Sequence, residues 1–415
     1  MTLFGNGRVA IENDSRVAGR LGWGRRRPSL PDPEWIMRPR RGDPTREPWI
    51  APPGFEALPG AAGMWRRVTG LSSWTYLADV PAIDRYLLEA ARPRRTGGAR
   101  IGVAGLGRVG GVAVTVMAAL PATRSGIAEL GLCDHDPANA ERWRQELSTV
   151  AEWRGAGRPV IRTVSVEEMF ASCDAVVFAA AAGVPPLGTG EDVRLSQFEP
   201  NRALLGTFIA AASKAGFAGL LLIVSDPVEC LAQAAFVDSN RDQAGAFTGI
   251  GLAPERVAGL ALGVMWARAL ACAREHGWEA EFERFGGVYG PHSVEVEVYD
   301  DVRRPDAERS ALLSQAARYG NYRIRDLGFL PYVGPGVSSL ALTMPRLVSG
   351  REILASVFLD GTYFGGPARL RWGLDWVPRR VAPSIAHDLD ELHAFLGDRM
   401  AALGLTFGAK AGSGT

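Results

Sequence analysis

From Ile101 onward, short apolar runs alternate with longer segments whose apolar positions recur every three or four residues. The runs Ile101–Gly105, Glu129–Asp134, Ala175–Ala180 and Leu220–Ser225 predict strands, and the segments between them predict amphipathic helices. That alternation is the mark of a parallel sheet covered by helices. After about Arg284 the pattern changes to longer alternating runs. Val294–Tyr299 and Ile353–Leu359 predict antiparallel strands, and Asp388–Leu403 predicts a closing amphipathic helix. Before Met64 almost no periodicity is present. Pro52-Pro53-Gly54 reads as a turn or linker, and Pro81–Ala91 as a short helix with its proline in the first turn. The chain therefore divides into an irregular extension over 1–98, a parallel α/β domain over 99–250 and an α+β domain over 251–408. A chain of 415 residues is long enough for two such cores plus an extension.

The first predicted strand runs directly into Gly105-Leu106-Gly107-Arg108-Val109-Gly110, a G-x-G-x-x-G turn that opens a helix. In a Rossmann unit the first glycine permits a tight turn and the second lets a pyrophosphate approach the backbone. The third lets helix and strand pack closely. The amides of Leu106, Arg108 and Val109 belong to the same turn and helix N-terminus, where free N–H groups and the helix dipole favour phosphate. Asp134 ends the next strand, at the distance along the chain where ribose hydroxyls need an acceptor. A carboxylate there repels a 2′-phosphate, so the unit calls for NAD rather than NADP.

The residues beyond this unit resemble the lactate/malate dehydrogenase family, from about Arg100 to Leu403. Asp174–Gly183 resembles its strand entering the mobile active-site loop, and Gly190-Glu191-Asp192-Val193-Arg194-Leu195 followed by Asn201 resembles its GExRL…N pattern. Ser225-Asp226-Pro227-Val228-Glu229 stands for its TNPVD-like turn, and Pro254–Arg268 for its P-x-R-V-x-G…LDSAR helix. Gly287–Ser293 falls at its GEHGDS segment and Ser356–Tyr363 at its late strand. The resemblance implies the family's two-domain fold, an NAD site that includes Ala180 and Ser225, and a homo-oligomer. It also implies that Arg268 grips a substrate carboxylate and that Arg194 polarises a carbonyl. The family's acid/base pair is absent. Met265 stands where it has an Asp and Tyr289 where it has a His, with His292 three residues further on. Asp226 replaces the Asn beside the nicotinamide. Tyr289, His292 and Asp226 are thus the candidate proton carriers.

Composition narrows the alternatives. Net charge is +1 with 22% charged residues, so nothing calls for a nucleic acid or a membrane surface. No apolar run reaches the ~20 residues of a membrane span, and no signal peptide opens the chain, which points to the cytoplasm. The four cysteines are scattered, without metal-ligand spacing, so no metal site is expected. The first fifty residues hold ten Arg, six acids and three tryptophans (Trp23, Trp35 and Trp49), suiting an arm that docks on a partner or a neighbouring subunit. Two function classes stay open. One is an NAD-dependent oxidoreductase acting on a bulkier carboxylate, a small molecule or peptide-borne, in a specialised biosynthetic pathway. The other is a non-redox nucleotide- or partner-binding protein that has lost the dehydrogenase dyad. Plain lactate or malate dehydrogenase chemistry is excluded by Met265 and Tyr289. The double substitution Met265→Asp with Tyr289→His is expected to give no turnover of pyruvate or oxaloacetate, because the loop after Gly183 has changed as well. Ordinary turnover by that variant in an NADH-coupled assay contradicts this expectation.

Overall fold

The computed structural model describes residues 98–150, 157–183, 194–217, 219–245, 251–329, 335–359, 361–370, 374–377 and 379–406. The arginine-rich extension, the helix expected over Pro81–Ala91 and most of the loop that follows Gly183 lie outside those residues.

The parallel half begins with β1 (Ala99–Ala104), α1 (Arg108–Ala119), α2 (Ala122–Ser125), β2 (Ile127–Cys133) and α3 (Pro137–Ser148). It continues with β3 (Val160–Thr163), α4 (Val166–Ser172), β4 (Ala175–Phe178), α5 (Phe198–Ala215), β5 (Leu220–Ile223), α6 (Val228–Ser239) and β6 (Val257–Gly259). All four strands expected in this half form, one or two residues shorter at their C-terminal ends. Two more, β3 and β6, are too short to show as apolar runs. In β3 three of four residues carry little burial, so hydropathy had nothing to register.

The second half holds α7 (Leu262–Glu275), α8 (Glu279–Phe285), β7 (Gly287–Tyr289), β8 (Glu297–Tyr299), α9 (Ala307–Asp326) and α10 (Pro335–Val348). It ends with β9 (Glu352–Leu359), β10 (Thr362–Leu370), β11 (Leu374–Trp376) and α11 (Pro383–Ala402). Of the strand expected over Val294–Tyr299 only the last three residues pair, antiparallel to β7. The segment Ser356–Tyr363 is not one strand. It folds back at Gly361, whose φ of 97° puts it in the left-handed region, and becomes the β9–β10 hairpin.

The strand order is β3-β2-β1-β4-β5-β6, continued by β9-β10-β11. The first six run parallel and the last three antiparallel, joined by the pair Gly259↔Ser356. One sheet thus crosses the boundary expected near residue 250. Alternation along the strands sorts side chains to two faces. Val176, Phe178, Leu221 and Ile223 meet α5 and α6, whereas Val103, Val177 and Leu222 meet α1 and α10. Because both faces are covered, the strands read as unbroken apolar runs rather than as alternating ones. Capping residues set several helix starts: Asp136 caps α3, Asp306 caps α9, and Ser165 with Glu168 forms a capping box on α4. Leu222 is fully buried. Leu222→Ala is expected to cost roughly 2–5 kcal/mol, read as a lower urea midpoint with an unchanged slope.

Candidate functional site

The C-terminal ends of β1, β4 and β5 meet at one place, and the site is built there from the backbone upward. Gly105 leaves β1 at φ 87°. A Cβ on it would lie 2.5 Å from Ala180, so the strand end after β4 can close against it only because it has none. A Cβ on Gly110 would lie 1.8 Å from the Gly105 carbonyl oxygen, which fixes α1 tightly against the turn. At Gly107 a Cβ would meet nothing within 4 Å: the cradle over the start of α1 is open. No side chain caps α1, so its first amides keep no side-chain acceptor of that kind.

Asp134, at the end of β2, accepts a hydrogen bond from the Leu106 amide at 2.8 Å and from the Asp136 amide at 3.1 Å. Burial raises its pKa, but those amides, the Asn139 side chain and His135 more than offset this and hold it below the usual carboxylate range. It is therefore an ionised acceptor beside the glycine turn. Trp143 of α3 completes the turn, donating from Nε1 to the Leu106 carbonyl at 3.0 Å. Arg108 and Val109 sit in the first turn of α1, the first of them exposed. Among the expected nucleotide residues, Gly105, Leu106, Gly107, Arg108, Val109, Gly110, Asp134 and Ala180 gather at this cradle. Ser225 reaches it indirectly, donating from Oγ to the Ala180 carbonyl at 2.6 Å.

A second cluster adjoins it. Asn201 of α5 accepts from the Ala182 amide and donates to the Asp226 carbonyl, both at 2.8 Å, tying the segment after β4 to the turn after β5. Arg194 is buried, its Nε 3.9 Å from Asp226 Oδ2. Arg268 of α7 donates from Nη1 to the Ala317 carbonyl at 3.1 Å and lies beside the Met265 sulfur. Gly320 of α9 gives it room, since a Cβ there would come within 2.7 Å of Arg268 Cδ.

His292 stands among these charges. It is 6% exposed, and its Nδ1 is buried with no hydrogen-bond partner. Burial first, then the Arg194 and Arg268 guanidiniums, hold its pKa well below the ordinary value, opposed by a hydrogen bond to the Ala261 backbone. The ring is thus neutral at physiological pH and presents an acceptor lone pair at Nδ1. Tyr289 is not brought to this cluster. Its ring lies in an aromatic core with Tyr299 and Trp376, and burial pushes its pKa up to about 12. Tyr289 and His292, three positions apart, go to different places because β7 ends at Tyr289 and Gly290, at φ 88°, turns the backbone before His292. Met265 is fully buried in an apolar cluster with Phe282, Val288 and Leu313.

The residue that sequence reasoning passed over is Glu229. It sits on α6, whose first ten residues are all buried, and accepts hydrogen bonds from Ser356 Oγ at 2.6 Å and the His292 amide at 3.0 Å. Burial, aided by the nearby Asp226 charge, pushes its pKa up to about 7 against these two hydrogen bonds and one from its own backbone amide. An acid heading the apolar run Val228–Val237 was the signal that could have marked it. Together Arg194, Glu229, Pro291, His292, Ser293 and Arg399 line a small recess.

Comparison with known proteins follows this geometry. No protein-family model and no curated protein matches the chain. Solved structures do. A lactate dehydrogenase from a Medee basin deep-sea metagenome library is similar at 19% identity and a TM-score of 0.58, covering 74% of this chain and all of its own. Malate dehydrogenase from Plasmodium falciparum aligns at 14% identity with a TM-score of 0.60, over 74% of this chain and 99% of its own. Malate dehydrogenase from Archaeoglobus fulgidus, solved in complex with NADH, gives 16% identity and a TM-score of 0.56 over the same shares. The fold is that of the lactate and malate dehydrogenases. The resemblance read from six short segments is borne out at the level of architecture, from the glycine turn to the last helix. Among the described residues no helix is long and apolar enough to cross a membrane, and no cluster of His, Cys, Asp and Glu is disposed to hold a metal ion. The four cysteines are buried and free.

Glu229 makes a prediction about stability. A carboxyl whose pKa is raised on folding contributes stability below its unfolded value, which is lost as pH rises through the folded one. The wild-type chain should therefore lose stability between about pH 4.5 and 7. Glu229→Gln can accept the same two hydrogen bonds without a charge to bury. Its advantage over wild type should grow by roughly 2.5 kcal/mol from pH 5 to pH 8, measured by urea denaturation. Parallel stability curves for the two proteins would rule this out.

Proposed function

We propose that this chain is an NAD-dependent oxidoreductase whose proton carrier is His292, acting on a carboxylate-bearing substrate bulkier than a simple keto acid. The observation that carries the reading is the unpartnered, buried Nδ1 of His292, in a ring on which the charges of Arg194 and Arg268 both act. A bare acceptor in such a place costs free energy unless a ligand supplies the donor.

The cradle fits a dinucleotide. Gly107 leaves open space over the N-terminus of α1, and Asp134 is an ionised acceptor for ribose hydroxyls. The chemistry a bound NAD supplies is two-electron oxidation, by accepting hydride from a carbinol carbon. The hydroxyl proton is left to this chain. His292 Nδ1 takes it, as a neutral base presented by a ring whose other edge bonds to Ala261. Arg268 is placed to hold a substrate carboxylate as a planar two-pronged donor. Arg194, buried against Asp226, adds positive charge where the substrate oxygen would develop negative charge. Asp226 lies against that guanidinium and answers its charge, rather than acting as a second base.

Two features favour a larger substrate. The segment 184–190 is apolar and proline-rich where the resembling family selects between small keto acids, and the arginine- and tryptophan-rich composition of residues 1–98 suits a peptide-borne one. A specialised biosynthetic role is consistent with both.

The reading is tested by titrating the full-length protein with NADH and following fluorescence. Binding should be saturable and weakened at least tenfold by Asp134→Ala, with NADPH bound more weakly than NADH. NAD-dependent turnover of a panel of 2-hydroxy and 2-amino acids should then fall by about 10²-fold or more in His292→Asn and in Arg268→Ala. Tight NADH binding with no turnover of any panel member would sink the oxidoreductase reading and leave a nucleotide-binding protein.

A further inference from the structure

His292 accepts a proton in a place already rich in positive charge. Arg194 and Arg268 both act on it, and Arg399 lines the same recess. An imidazolium there adds a cation to a site shielded from water, where unbalanced like charge is strongly unfavourable. The groups that face Glu229 come from every element around it. Asp226 and Pro227 precede α6, Arg194 precedes α5, His292 and Ser293 lie between β7 and β8, Ser356 is on β9 and Arg399 on α11. Of the arginines, Arg399 is paired with Glu295 at 2.6 Å, and Arg194 faces Asp226 at 3.9 Å. The carboxyl set against His292 itself is Glu229, 3.0 Å from its amide nitrogen.

We propose that Glu229 is a positioning residue for His292: it fixes the imidazole through the His292 amide and, as a carboxylate, supplies the negative charge that lets Nδ1 take a proton. The proposal rests on the oxidoreductase reading for the source of that proton. The substrate O–H bond breaks and an N–H bond forms at Nδ1. The neighbouring C–H electron pair leaves as hydride to NAD, which is reduced while the carbinol is oxidised. The counter-charge thus comes from α6 and approaches the histidine from its backbone side. Met265 of α7, buried among apolar groups, can supply none.

Two consequences separate this role from simple packing. Glu229 must be ionised for His292 to hold the proton, so the oxidative kcat rises with pH as Glu229 loses its own. Because its pKa is pushed up to about 7, that rise falls near neutrality, and it belongs to the coupled pair rather than to either group. Ser356 Oγ donates to the Glu229 carboxylate and lowers its pKa, so removing that hydroxyl must move the rise to higher pH.

The test follows the His292 ring by NMR in the full-length protein carrying isotope-labelled histidine, its signal assigned by its loss in His292→Asn. Between about pH 5.5 and 8.5 the wild-type signal should show a step near neutrality as the neighbouring carboxyl ionises. Glu229→Gln should abolish the step, and Ser356→Ala should shift it upward. In turnover, Glu229→Gln should lower the oxidative kcat roughly tenfold or more, flatten its pH profile and leave KM within about twofold. A wild-type signal with no step, or a step that survives in Glu229→Gln, overturns the proposal whether or not a substrate has been found. A step that behaves as expected in a protein that turns nothing over instead overturns the oxidoreductase reading and leaves the Glu229–His292 coupling standing.

Discussion

Charge taken out of water has to be balanced inside the fold, and that constraint organises the C-terminal end of the sheet. The guanidiniums of Arg194, Arg268 and Arg399, a histidine and the carboxyls of Asp226, Glu229 and Glu295 gather there, largely out of water. In such surroundings the cost of an unpaired ion exceeds what most single contacts contribute to stability. Each charge accordingly has an assigned neighbour: Asp226 for Arg194, the Ala317 carbonyl for Arg268, Glu295 for Arg399, the His292 amide and Ser356 for Glu229. His292 Nδ1 is a buried acceptor with no hydrogen-bond partner, set among those charges, and that is what makes the cluster read as a site rather than as a buried ionic core.

The backbone makes the convergence possible. Gly105 and Gly110 let β1, α1 and the end of β4 approach more closely than any side chain would permit. Asn201 and Ser225 then bind the two switch-point segments to one another by hydrogen bonds to backbone groups. The glycine turn and the histidine cluster are therefore joined by a short run of hydrogen bonds.

Much of this was legible along the chain. Four parallel strands stood out because both faces of the sheet are covered, which makes each strand a continuous apolar run. The glycine turn and Asp134 were legible because their spacing is local: one strand, one turn, one helix and the next strand. The short strands β3 and β6 were not, since β3 is mostly exposed and β6, though buried throughout, has only three residues. The β9–β10 hairpin was hidden because a single left-handed Gly361 divides a stretch that otherwise reads as one strand.

The proposed proton carrier shows the limit most sharply. By position along the chain Tyr289 and His292 were equal candidates, and Glu229 was only an acid in an apolar run. Which of them faces the arginines depends on a turn at Gly290 and on contacts between β9, α6 and the β7–β8 loop, more than sixty residues apart in sequence. The sequence by itself determined the dinucleotide unit and the fold class, because both arise from short-range spacing and from the hydrophobic pattern. Only the tertiary structure decided that Tyr289 is core and that His292 and Glu229 share the site. Burial and charge balance are properties of groups brought together by folding, and no local pattern encodes them.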